Sequence, residues 1–153
     1  MTTEASHEQA GPSGFGGWLT LVAIGQTLGP IITVGGIVGS IAAYQQVMVL
    51  PGGALAVHGE VALNLAFLFI QLVCVRAMYR RSKEYPRLFL LQWIAMILLA
   101  VGDVVLLSVA LNLPLSTLLG RMNPTRIIGP IVMTGIWVLY MFESVRVRNT
   151  FTQ

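Results

Sequence analysis

Residues 94–111, IAMILLAVGDVVLLSVAL, form a long apolar stretch interrupted by one charged side chain, Asp103. Such a stretch is long enough to cross the hydrocarbon of a bilayer as an α-helix. Inside hydrocarbon no other open-chain structure satisfies its own backbone polar groups. Comparable runs precede and follow it, and they predict spans at about 18–44, 61–78, 88–111 and 127–142. The expected fold class is all-α, an integral membrane four-helix bundle. Composition agrees: charged residues are 10% of the 153, against about 25% in an average soluble domain. So few charges cannot cover a core facing water, whereas a lipid surround removes the need.

The basic residues set an expected orientation. Arg76, Arg80, Arg81, Lys83 and Arg87 stand at the junction of the second and third spans, and Arg146 and Arg148 follow the fourth. Arg121 and Arg126 fall on the other side. The Arg-rich side is expected to be cytoplasmic, which places both termini inside a bacterial inner (cytoplasmic) membrane crossed several times. Residues 1–17 hold no Lys or Arg and are read as a flexible cytoplasmic tail rather than a secretory signal. Residues 144–153 form a second cytoplasmic tail, and residues 45–60 and 112–126 are expected external loops. Trp18, Tyr44, Tyr79, Tyr85 and Tyr140 fall near span ends, as interfacial anchors do. The net charge of +3 is explained by topology, and no basic face with interleaved aromatics suggests nucleic acid.

A few residues inside the spans ask for more than lipid. Asp103 has no basic residue within a helical turn. An ionised carboxylate facing lipid costs at least about 2.5 kcal/mol, so Asp103 is expected to face inward and either pair or take up a proton. Asn64 and Arg126 are the expected partners. Gln26, Asn64 and Gln71 are expected to act as interhelical glue, at about 0.6 kcal/mol per bond. Gly25, Gly29, Gly36 and Ser40 fall on one face of the first helix. That groove predicts close helix packing, within the chain or against a second copy. Pro30 gives the same helix a reason to bend, since it has no N–H for the carbonyl of Gln26.

No catalytic, cofactor or metal site is expected. Cys74, the one cysteine, lies in an apolar run and reads as inert. His7 and His58 have no second ligand at metal-site spacing, and Glu60 with His58 reads as a solvated loop pair. No nucleophile stands beside a histidine, and no glycine loop cradles phosphate. The expected function is that of a non-catalytic accessory or self-associating membrane component, with lipid, further copies or a larger complex as partners. The alternative is a small oligomeric proton- or cation-linked transporter centred on Asp103.

Four places together resemble one bacterial family, the membrane proteins of domain-of-unknown-function 2569. They are Gly16-Gly17-Trp18-Leu19, Glu60 with Asn64, the stretch Arg80-Arg81-Ser82-Lys83-Glu84-Tyr85-Pro86, and the ending from Tyr140 to Phe151. The ending is similar to a Tyr-x3-Ser-x-Arg-Val-x-x-Thr-Phe pattern, with Val145 where the family usually has a basic residue. The resemblance implies a four-helix inner-membrane protein and no assigned activity. It also marks Ser144, Arg146, Thr150 and Phe151 as a cytoplasmic motif, serving either to anchor the last helix or to dock a partner.

Overall fold

The computed structural model describes residues 13–121 and 123–152; the side chains of Arg121 and Arg126 are outside that description, as is most of the expected N-terminal tail, His7 included. Seven helices follow one another: α1 (Trp18–Gly39), α2 (Ile41–Met48), α3 (Gly53–Tyr79), α4 (Tyr85–Leu111), α5 (Leu115–Arg121), α6 (Pro124–Glu143) and α7 (Val145–Thr150). No strand occurs among the described residues.

Three of these helices, α1, α3 and α4, are long and apolar enough to cross a membrane. The apolar part of α6, Ile127–Glu143, is shorter. The long helices are apolar on nearly every side, as befits elements surrounded by lipid. Ile32, Phe69, Leu98, Val109 and Leu139 are each 66% exposed or more. Burying such side chains is worth about 1.5–3 kcal/mol each, so water would not tolerate this belt. Lipid does.

Packing runs in a row: α1 lies on α3, α3 on α4 and α4 on α6. Among the described residues α1 and α6 do not pair along their lengths. The row is closed at one end only. There Trp18 meets Trp137, with ring centroids 6.2 Å apart. At the same end the two chain ends are clasped together. The Gly14 N–H donates to Thr150 Oγ1 (2.9 Å), whose own hydroxyl donates to the Arg146 carbonyl (2.7 Å). Phe151 lies against Tyr85 at 4.6 Å between centroids. This end holds the densest core: Leu19, Cys74, Met78, Tyr85, Met141 and Val147 are fully buried.

The connections explain the antiparallel order. After α3, Arg81 adopts the left-handed conformation (φ 52°), and the Ser82 N–H reaches back to the Ala77 carbonyl. That pairing closes the helix as a Schellman turn and sends the chain back into α4. Asn112, also left-handed, ends α4 with its N–H on Ser108. Asn123 caps α6 by accepting from the Thr125 N–H (3.1 Å), ahead of a proline in the first turn.

The helix limits differ from the expected spans in four places. The first helix does not run unbroken to Tyr44. It passes through Pro30, stops at Gly39, and resumes as α2 after Ser40, whose N–H is shared between the Gly36 and Ile37 carbonyls. The second span begins not at Val61 but at Gly53, because the 45–60 loop shrinks to a tight turn around Pro51 and Gly52. Glu60 and His58 are therefore helical, with the His58 ring on the Ala54 carbonyl one turn earlier. The expected loop 112–126 contains α5, and the expected C-terminal tail contains α7. Gly52 is left-handed (φ 77°), and a β-carbon there would overlap the Ala110 carbonyl. Gly52→Ala is therefore expected to destabilise the fold by at least about 1–2 kcal/mol. Gly39→Ala, which meets open space, is not. Thermal unfolding in detergent, followed by helical circular dichroism, checks the contrast.

Candidate functional site

Two polar layers cross the row of helices. The first lies nearer the clasped end. Gln26 of α1 and Gln92 of α4 sit eight and seven residues into their helices from that end, about 10–12 Å at 1.5 Å per residue, and Gln71 of α3 lies somewhat farther along, against Gly29 and Thr33 of α1. The Gln26 amide donates to Gln92 Oε1 (2.8 Å), and Thr33 donates to Gln71 Oε1 (2.9 Å). Gln26 and Gln71 are both buried. Sequence reasoning passed over Gln92. It stands five residues after Arg87, close to the expected water interface, and no periodicity marks it as inward on a helix apolar all round.

The packing that supports this layer rests on two glycines. A β-carbon at Gly29 would lie 3.3 Å from Gln71 Nε2, and one at Gly135 would lie 3.2 Å from the Trp93 ring. The bare Gly135 backbone lets Trp93 settle on α6, where its indole N–H donates to the Ile131 carbonyl (2.8 Å). Of the glycine face read on the first helix, Gly29 alone is filled from within the chain. Gly25 and Gly36 face open space, and Ser40 serves the break between α1 and α2.

The second layer lies toward the opposite end and is acidic. Glu60, Asn64 and Asp103 line one cavity of about 260 Å³ between α3 and α4, walled by Phe67, Met96 and Leu99. Tyr44 of α2 donates to Glu60 Oε1 (3.0 Å). Asn64 is not the partner expected for Asp103: its amide donates to the Glu60 carbonyl in its own helix (2.9 Å). Arg126 is the third residue of α6, and its side chain lies outside the described residues. Asp103 Oδ1 is buried and has no hydrogen-bond partner among the described residues. Glu60, read as part of a solvated loop, is thus a second carboxylate beside Asp103. The signal that would have found it is the apolar, helix-forming run Ala54–Val57 just before it.

The tail motif is turned inward. Ser144 is extended and ends α6, so α7 folds back. Thr150 is 3% exposed and Phe151 5%, both occupied by the clasp, while the Arg146 guanidinium approaches the Ser13 carbonyl at 3.5 Å. Cys74 is buried, with its thiol toward the Leu88 carbonyl. Among the described residues, no three His, Cys, Asp or Glu side chains converge as metal ligands.

With its buried Oδ1 unpartnered among the described residues, the Asp103 carboxylate gives the helices no bond to lose there. Asp103→Asn is expected to leave thermal stability in detergent unchanged or higher. Loss of a paired buried charge would instead cost about 3–5 kcal/mol, and a drop of that size would show that Asp103 is paired.

No curated protein and no solved structure matches the chain. Residues 12–152 match the family described as Protein of unknown function (DUF2569), and the chain therefore belongs to that family.

Proposed function

We propose that the chain is a four-span protein of the bacterial inner membrane, with both ends in the cytoplasm, acting without catalysis as a self-associating component of a membrane complex. The clasp supports an even number of crossings, since it joins segments before α1 and after α6. On this reading α6 is the fourth crossing. Its 17 apolar residues reach about 26 Å, less than the hydrocarbon thickness of about 30 Å, so it stands upright. The connection carrying Arg80, Arg81 and Lys83 lies at the clasped end and supports an inward-facing assignment for it.

The observation that carries self-association is the bare face of α1. Gly35, Gly36 and Gly39, beyond the cleft between α1 and α6, all have open space where a side chain would stand, and Ile31 and Val38 near them are exposed. In lipid, helices associate through close backbone approach, which such glycines permit. Gly36→Leu is expected to shift the protein from oligomer to monomer at least tenfold, measured by native mass spectrometry from mild detergent. A wild-type monomer, or an oligomer indifferent to the substitution, would refute the reading.

One observation favours a second reading, proton- or cation-linked transport. Glu60 and Asp103 line the same cavity, and Asp103 Oδ1 is without a partner among the described residues. A row of helices encloses no path alone, so transport on this reading requires the oligomer. In sealed vesicles Asp103→Asn is expected to abolish a pH-driven flux while assembly persists. Equal flux in both proteins rejects it.

A further inference from the structure

We propose that the open side of the helix row, between α1 and α6, is a binding site for a neutral lipid-soluble molecule with a carbonyl-bearing head and an apolar tail. The cleft there has a volume of about 400 Å³, within the usual range for small-molecule sites. Its floor is the glutamine layer, and its walls include Phe67, Trp137 and Thr134. It opens sideways because α1 and α6 are not paired along their lengths, so a ligand enters from the bilayer.

The floor decides the chemistry of the ligand. Each glutamine amide offers two donors and a carbonyl acceptor. The bonds within the chain use one donor of Gln26, and the carbonyls of Gln92 and Gln71. Among the described residues Gln26 Oε1, Gln92 Nε2 and Gln71 Nε2 make none. They are also not among the fully buried unpartnered atoms, and all three glutamines line the cleft. At this depth neither water nor an acyl chain supplies hydrogen bonds, and an amide left unpaired in hydrocarbon is costly. Two free amide donors call for an acceptor oxygen, and the free Gln26 Oε1 takes a donor where the head also carries a hydroxyl. No charged side chain lines the cleft, so the acceptor is a neutral carbonyl and not a carboxylate or phosphate. The aromatic walls and Met96 and Met133 adapt to a flat ring or a tail.

Two sources carry this chemistry, an isoprenoid quinone and a lipid ester, and the test separates them. The full-length protein is placed in phosphatidylethanolamine and phosphatidylglycerol nanodiscs. Decylubiquinone binding is read from quenching of tryptophan emission, and 1,2-dioctanoylglycerol binding from thermal stabilisation. At least one probe is expected to saturate. Gln92→Leu removes a donor, and Thr134→Phe fills the cleft without touching the amides. Each is expected to weaken that probe tenfold or more, while lipid-facing Leu98→Ala leaves it unchanged. If Gln92→Leu does not fold, Thr134→Phe decides alone. Saturation by the quinone only, or by the diacylglycerol only, upholds the site and names its source. Failure of both probes to saturate, or binding indifferent to Thr134→Phe, overturns it. So does efficient disulfide formation between copies carrying Thr134→Cys, which would mean that a second copy fills the cleft.

Discussion

Hydrocarbon offers polar groups nothing to bond to, and the arrangement of this chain follows from that. Backbone groups are satisfied by helix formation, which leaves the side chains to be accounted for. Those that matter are gathered at matching depths on different helices. Thr150 and Gly14 close one end, three glutamines form a layer above it, and Glu60, Asn64 and Asp103 form another beyond. The registers agree because α3 and α4 are joined by a tight turn at Arg81 and Ser82, so equal counts from the turn reach equal heights. Gln71 and Gln92 sit eight and seven residues from their helix ends, and Glu60 and Asp103 nineteen and eighteen.

The two ends of the row behave differently for a packing reason. At the clasped end α7 and the Phe15 region add cover on both sides, and large side chains there lose nearly all their exposed surface. Farther along, α1 and α6 do not pair along their lengths among the described residues, and the cleft between them has a polar floor. An end that is tied and a middle that is open coexist because α6 meets α1 near the clasp, where Trp18 lies against Trp137.

What could be read in the sequence followed the physics of each signal. Long apolar runs and paired arginine clusters are coarse and strong, so the helical class and the sharing of one end by the segments before α1 and after α6 were legible. Helix limits were not. A helix apolar on every side has no periodicity to mark where it starts, and His58 and Glu60 looked like loop residues because they are polar, although α3 already runs through them. Gln92 was hidden by its nearness to Arg87. The glycines of α1 announced that something packs closely, but a glycine cannot say which neighbour comes; only Gly29 meets one within the chain. The fold-back of Phe151 depends on Tyr85 and Phe15, distant in sequence, and no local pattern encodes it.

The clasp joins residues 136 positions apart, Gly14 and Thr150. During synthesis Gly14 is made before α1 and Thr150 after α6, so every long helix is made between them. The dense end of the molecule thus stays unsealed until α7 has been made, and Leu19 and Tyr85 wait for their cover until then. Formation of α7 is therefore the step that can seal this end.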